Sequence, residues 1–214
     1  FGASGQAKVV IDIIEKERKY AIIGLLDTPG KAGEEILGYE VIGKNEDLPQ
    51  LIKSYSIDGG IVAIGDNFHR KKVVEKILKI VPKFHFFTGI HPQACIAKGV
   101  SIGDGTIIMA GTVVNSDCSI GKFCIINTNS SLDHDSTLED YSSILPNAST
   151  GGNVRIGKYS VICMGSSIKH GVEVGEHVVI GAGSTVIKNI DSFTVAFGTP
   201  AREIRKRKAG DKYL

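Results

Sequence analysis

Ile120-Gly121-Lys122-Phe123-Cys124-Ile125, Ile126-Asn127-Thr128-Asn129-Ser130-Ser131 and Leu132-Asp133-His134-Asp135-Ser136-Thr137 are three consecutive blocks of six residues, each opening on an aliphatic. Stepping by six in both directions gives Ile90, Ile96, Ile102, Ile108, Val114, Ile120, Ile126, Leu132, Leu138, Ile144, Thr150, Ile156, Ile162, Ile168, Val174, Ile180 and Val186, of which only Thr150 is not aliphatic. Ordinary usage of Ile, Leu and Val does not produce so long an unbroken run. A second series, two places earlier in each block, is small throughout: Ala94, Val100, Thr106, Thr112, Cys118, Cys124, Ser130, Ser136, Ser142, Ala148, Val154, Ser160, Ser166, Val172, Val178 and Ser184. Residues i and i−2 share one face of a strand. Each block therefore sends one large and one small side chain inward, then turns. Gly103, Gly121, Gly157, Gly175 and Gly181 each follow an aliphatic directly; they are read as supplying the backbone angles of a tight corner.

A period of six implies a parallel β-helix of triangular section, three blocks to a coil of about 18 residues. The run 90–191 makes a little under six such coils, and each buries its apolar face only by stacking on its neighbours. A narrow axis explains the small series. Cys118 and Cys124 belong to it and are expected inside, as inert thiols.

Composition narrows the classes. The chain has 214 residues, 42% hydrophobic and 22% charged, with 26 Gly and no Trp. Lys+Arg 25 against Asp+Glu 23 gives a net charge of +2, so no global field draws nucleic acid or an acidic membrane. No apolar run reaches the ~20 residues of a membrane span. The four cysteines form no CxxC pair or metal spacing and are read as reduced thiols of a cytoplasmic protein.

Residues 1–85 lack the repeat. Gly2–Gln6 is a glycine-rich turn opening a helix over 7–19; Tyr20–Leu26 and Gly60–Ile64 read as buried strands. Asn45–Leu48 caps a short helix to Tyr55, Phe68–Val81 forms another, and Phe84–Phe87 is a last strand. Alternating strand and helix means a small parallel α/β unit. A glycine turn of this kind follows a strand, so a first strand is expected ahead of Phe1. Ligands of such sheets sit beyond the carboxyl ends of the strands. Three loops meet there, Gly2–Gln6, Asp27–Pro29 and Gly65–Asn67, and make a nucleotide-type site, with helix N–H groups facing a phosphate. The boundaries are 1–88 for this unit, 89–201 for the β-helix, and 202–214 for a basic tail carrying Arg202, Arg205, Lys206, Arg207 and Lys208, expected as a solvated helix.

Chemistry concentrates in Asn127–Asp135. An imidazole flanked by two carboxylates, Asp133-His134-Asp135, has the makings of a general base with an orienting partner. One coil on lies Gly152, with no side chain to block approach and a backbone N–H suited to an oxyanion. A metal-dependent hydratase needs three converging histidines, and their spacing here does not supply them; no metal is expected.

These residues resemble a known family, the bacterial sugar O/N-acyltransferases of the sialic-acid O-acetyltransferase and bacillosamine N-acetyltransferase type. The resemblance runs the whole chain: Gly2-Ala3-Ser4-Gly5, Leu26-Asp27, Ile64-Gly65-Asp66-Asn67 with Arg70, Ile90-His91-Pro92, Ile126-Asn127-Thr128, Asp133-His134-Asp135, Gly151-Gly152-Asn153-Val154 and Gly198-Thr199-Pro200-Ala201. It implies a left-handed β-helix, a homotrimer, and acetyl-CoA in the groove between two prisms, without a metal. It implies a UDP- or GDP-linked amino sugar facing Ser4, Gly5, Gln6, Asp27, Thr28 and Gly65. His134 becomes the base, Asp135 its partner, and Ser143, Gly152, Met164 and Ala182 line the coenzyme. Gln6 and Ser143 stand where these proteins usually carry His, and Asn147 where they carry Gly. The expected reaction is direct N-acetylation of the sugar. O-acetylation of a hydroxyl and a non-catalytic nucleotide-sugar scaffold are the alternatives.

Overall fold

The computed structural model describes residues 1–212. From Gly89 the chain winds as a triangular prism whose three faces are parallel ladders of two-residue strands. Face one stacks Gly89–Ile90, Ile107–Ile108, Ile125–Ile126, Ser143–Ile144, Val161–Ile162 and Val179–Ile180. Face two runs from Cys95–Ile96 through Ser131–Leu132 and Ser149–Thr150 to Thr185–Val186; face three runs from Ser101–Ile102 to Glu173–Val174. The pairing joins each residue to the one 18 further on, as Ile125 to Ser143 and Thr137 to Arg155. The fold is a left-handed parallel β-helix behind an N-terminal α/β unit.

Both inward series are buried from Thr106 onward and half-buried in the first coil, and the aliphatic one makes a single core from Ile108 to Val186. The polar members of the small series are satisfied in a repeating way: Thr106, Ser142, Ser160 and Ser166 donate to the carbonyls of Gly121, Gly157, Gly175 and Gly181, each 15 residues on. The Cys118 and Cys124 thiols do the same toward Asp133 and Glu139. Burial pushes Cys124 up to about 12 and raises Cys118, so both stay protonated and inert.

The corners correct one expectation. The left-handed backbone falls three residues after each aliphatic, at Asp117, Phe123, Asn129, Asp135, Tyr141 and Asn147 among others, with φ between 54 and 60° in these. Asn147 thus keeps the angle a glycine takes, because its short amide tolerates that region. The glycines directly after the aliphatics are needed for closeness instead. A Cβ at Gly103 would lie 2.7 Å from the Gly121 carbonyl carbon, and one at Gly157 2.6 Å from that of Gly175.

The α/β unit comprises α1 (Gly5–Glu17), β1 (Leu25–Leu26), β2 (Glu35–Ile36), β3 (Tyr39–Gly43), α2 (Leu48–Tyr55) and α3 (Asn67–Ile80). β1 pairs parallel with β3, and the β2–β3 hairpin is an addition that the reading of residues 1–85 missed. Gly60–Ile64 is extended with one parallel bridge, Gly60 to Phe86. Phe1 lies alongside the extended Gly60–Ile64 segment. Its ammonium donates to Ile61 O (2.7 Å), its carbonyl accepts from Ala63 (2.8 Å), and the Gly2 N–H reaches Leu26 O (2.7 Å). A cavity of about 330 Å³ adjoins Phe1, walled by Ile11, Ile14, Ile22, Gly24 and Gly60.

The unit is seated on face one. The outward residues there, Ile107, Ile125, Ser143, Val161 and Val179, are buried, and Ala7, Val10 and Ile13 of α1 share a core with Ile107, Met109 and Ile125. The corner between faces three and one carries a ladder of stacked rings, Phe123, Tyr141, Tyr159, His177 and Phe193, at centroid separations of 5.1, 5.5, 4.6 and 4.9 Å. Phe86 meets Phe123 edge-on at 5.1 Å, and Phe68 of α3 meets Tyr159 edge-on at 6.5 Å. Such pairs add ~0.5–1.5 kcal/mol each beyond area burial.

The basic tail is not a helix. Ala201–Lys206 forms a strand that pairs antiparallel with Thr194–Gly198 and closes the end of face one. Face one continues past its last coil with unpaired backbone groups, and the hairpin satisfies them. No helix among the described residues is long and apolar enough to cross a membrane.

Candidate functional site

His134 and Asp135 lie on the corner between faces two and three. Asp135 has φ 56°, the left-handed angle of every such corner, and this turns its carboxylate back onto the preceding ring. Oδ2 of Asp135 is 2.7 Å from Nδ1 of His134. A carboxylate can only accept, so Nδ1 carries the proton and Nε2 is left as the free base. The bond to Asp135 raises the His134 pKa above the ordinary histidine value, outweighing desolvation, which lowers it; the Asp133 and Asp135 charges raise it further.

The backbone of this corner is held on several sides. Asp133 Oδ1 accepts the His134 N–H (2.8 Å) and the Asn115 Nδ2 (2.6 Å), and the His134 carbonyl accepts the Asn153 N–H (2.9 Å). The Asn115 bond, followed by the His134 N–H, holds Asp133 below the usual carboxylate range. The space over Gly152 is not empty, as the bare glycine first suggests. A Cβ there would lie 2.6 Å from both Cε1 and Nε2 of His134, so glycine is required to seat the ring. His170, one coil further, brings a second imidazole to 6.2 Å from the first. The His134 side chain is 50% exposed, so the site is an open edge of the prism.

Met164 and Ala182 are exposed on a different corner, between faces one and two. Face two separates them from Gly152 and His134. Ser143 is corrected outright. It points outward from face one, is fully buried under the α/β unit, donates to Asn67 Oδ1 (2.6 Å) and accepts from Arg70 (3.3 Å). Its hydroxyl lies in the junction, away from His134.

Two of the three loops of the α/β unit, Gly2–Gln6 and Asp27–Pro29, are joined directly. Asp27 Oδ2 accepts the Ala3 N–H (2.6 Å) and Oδ1 the Thr28 N–H (2.6 Å), while Lys31 Nζ bridges Asp27 (3.2 Å) and the Ala3 carbonyl (2.8 Å). Burial pushes the Asp27 carboxyl up, but the two amides and the Lys31 ammonium outweigh it and hold it low. Asp27 is thus a clamp on the glycine turn. Ser4 and Gly5 are exposed at the start of α1, and a Cβ at Gly5 would meet open space. Nε2 of Gln6 is buried without a protein partner.

In the sequence Arg70 is only one member of a motif; its work is visible only in three dimensions. It is fully buried. Its Nε donates to Phe123 O (2.8 Å), Nη1 to Ile64 O (2.8 Å) and Gly65 O (2.9 Å), and Nη2 to Asn67 Oδ1 (2.7 Å) and Tyr141 O (3.3 Å). One guanidinium therefore ties the Gly65 loop to two coils of the prism. Arg70→Met strands several buried acceptors, and we expect a loss of about 3 kcal/mol or more in urea unfolding. A loss below about 1 kcal/mol contradicts this role.

Comparison with known proteins supplies relatives. Residues 1–77 match the family described as the PglD N-terminal domain, and residues 153–188 match the bacterial transferase hexapeptide (six repeats) family. The UDP-N-acetylbacillosamine N-acetyltransferase of Bacillus subtilis (strain 168) is 32% identical over 110 residues, 51% of this chain and 49% of that protein. The chain thus matches about half the length of that curated relative. PerB from Caulobacter crescentus, solved with CoA and GDP-perosamine, superposes with TM-score 0.88 at 31% identity, covering 95% of each chain. The acetyltransferase domain of PglB from Neisseria gonorrhoeae FA1090, solved with acetyl coenzyme A, gives TM-score 0.85 at 30% identity over 95% of this chain and 96% of that one.

Proposed function

Since the chain belongs to the bacterial sugar O/N-acyltransferase family, we propose that it transfers the acetyl group of acetyl-CoA to the amino group of a nucleotide-linked amino-deoxy sugar. The observation that carries this is the His134–Asp135 pair at 2.7 Å, its ring seated on Gly152, on an open prism edge. In the proposed reaction the amine nitrogen bonds to the thioester carbonyl carbon, and Nε2 of His134 takes the amine proton. Asp135 holds the tautomer and stabilises the imidazolium. The Gly152 N–H faces the developing oxyanion. The C–S bond then breaks, and the imidazolium returns its proton to the leaving thiolate, giving the amide and free CoA.

In this reading Ser4, Gly5, Gln6, Thr28 and Gly65 hold the nucleotide sugar, with Asp27 bracing the glycine turn. Met164 and Ala182 line the coenzyme together with Gly152. On one protomer these groups occupy opposite edges of face two. A neighbour whose Met164 corner packs against this His134 corner brings them together, and three such heterologous contacts close a ring. The homotrimer reading rests on that geometry. The tail contributes no helix to the site, and no metal enters the mechanism.

Purified chain is to be incubated with acetyl-CoA and a panel of UDP- and GDP-linked 4-amino sugars and their hydroxyl counterparts, with free thiol as readout. Release with an amino sugar supports N-acetylation. Release with hydroxyl sugars only replaces it with O-acetylation, and none with any acceptor leaves the scaffold reading.

Because the neutral imidazole is the active form, kcat/KM rises with pH to an inflection above the ordinary histidine value. Asp135→Asn removes the main cause of that elevation. The inflection then moves to lower pH, with a plateau about tenfold lower. An unmoved inflection assigns the titration to another group.

A further inference from the structure

Thr150 is the one place in the every-sixth series where an aliphatic gives way to a hydroxyl, and it lies in the coil next to the His134 corner. From His91 to Lys169, the residue following each series member donates its N–H to the carbonyl of a series member in the next coil. Asn115 does so to Leu132 (2.9 Å) and Glu139 to Ile156 (2.9 Å). Asp133 departs from the pattern. Its N–H goes to the side-chain Oγ1 of Thr150, 17 positions on, at 3.0 Å. Strand pairing there shrinks to Ser131 with Ser149, whereas the coil before pairs both Ser131 with Val113 and Leu132 with Val114.

A hydroxyl on a side chain stands at a different height and angle from a backbone carbonyl. Accepting the Asp133 amide there makes the Thr150 hydroxyl, in place of a backbone carbonyl, the anchor of the Leu132–His134 corner. The same three residues, Thr150-Gly151-Gly152, form the seat below the imidazole, with Gly152 directly under Cε1 and Nε2. The anchor of the corner and the floor of the ring are therefore one short segment. Thr150 is only 8% exposed, so water does not replace its hydroxyl readily.

We propose that Thr150 is a positioning residue, whose hydroxyl sets the height of the His134 imidazole over Gly152 and so the direction of Nε2. This rests on His134 being the base. Thr150→Val keeps the shape, removes the acceptor and places a second methyl in an aliphatic interior. Thr150→Ser keeps the acceptor and gives up a methyl.

The test compares both variants in the whole chain for kcat, KM, melting temperature and the 15N titration of the His134 ring without substrate. For Thr150→Val we expect kcat down about 10–100-fold, the KM for acetyl-CoA unchanged, an equal or higher melting temperature, and displaced His134 resonances and pKa. For Thr150→Ser we expect a lower melting temperature with kcat and the imidazole titration close to the parent. A residue that serves only packing gives the opposite order. A Thr150→Val chain with parental His134 resonances and pKa overturns the proposal. That readout needs no turnover, so it remains decisive if no acceptor in the panel is acetylated.

Discussion

His134→Ala is expected to lower turnover at least about 100-fold, with a range to about 10⁴, because a positioned general base contributes that much. The ring is half exposed and sits outside the prism core. Its loss removes no core contact, and the melting temperature and coenzyme affinity are expected to stay near the parental values. Measurement of kcat at saturating acetyl-CoA, beside calorimetric binding of CoA, separates the two. Near-parental turnover in this variant removes the base assignment. Residual activity that climbs with pH fits it, since the free amine of the acceptor then needs less help.

Gly152→Ala is the second large effect, expected at about 10²-fold in kcat. The backbone of Gly152 is not left-handed, so alanine fits the chain there. The new methyl, however, would sit 2.6 Å from Cε1 and Nε2 of His134 and 3.0 Å from Cδ2. Something must shift, and the exposed imidazole is the softer partner. Swinging away breaks the 2.7 Å bond to Asp135 and misdirects Nε2, and a misplacement of about 1 Å costs on the order of 10² in rate. Folding is nearly untouched, because the ring moves toward solvent. A crystal structure of the variant with the ring unmoved, or a kcat within about threefold of the parent, defeats the argument. The pair of variants is informative together: one deletes the base, the other displaces it.

Much of the architecture is legible along the chain because the period is short and local. A two-residue strand followed by a four-residue turn repeats its chemistry in every block, so inward and outward positions follow from counting. The burial of Cys118, Cys124 and the aliphatic series from Ile108 to Val186 follows from that count. His134 and Asp135 are adjacent in sequence, and a left-handed corner residue places its carboxylate on its predecessor whatever lies elsewhere. That part of the site is local too.

Other features have no local signature. Ser143 reads like any outward serine, comparable to Ser131 or Ser149 on face two. It is buried because its face is the one covered by the α/β unit. A trace of that choice is present at 18-residue spacing, where the outward residues Ile107, Ile125, Val161 and Val179 are aliphatic and only Ser143 intervenes. The ring ladder Phe123, Tyr141, Tyr159, His177 and Phe193 marks the same side. Both patterns emerge only when the chain is counted by coils.

The strands of residues 1–85 are shorter than their apolar runs suggest: in Tyr20–Leu26 only Leu25 and Leu26 are buried while Tyr20 and Ile23 are exposed, and Gly60–Ile64 is packed without a complete ladder. β1 is limited to Leu25–Leu26, and Gly60–Ile64 keeps a single bridge. The C-terminal basic segment was assigned from charge alone, and charge does not distinguish an exposed helix from an exposed edge strand.

What the amino-acid order determined unaided is the coil: its period, its interior and the imidazole–carboxylate pair that one corner presents. These depend on neighbours within six residues and on a repeat that copies itself. What the tertiary structure decided is which face carries the α/β unit, that Arg70 fastens it there, and that Thr150 takes the Asp133 amide on its side chain. Those outcomes depend on groups 17 to more than 90 residues apart along the chain, brought together by stacking and docking, and no local propensity encodes such a meeting.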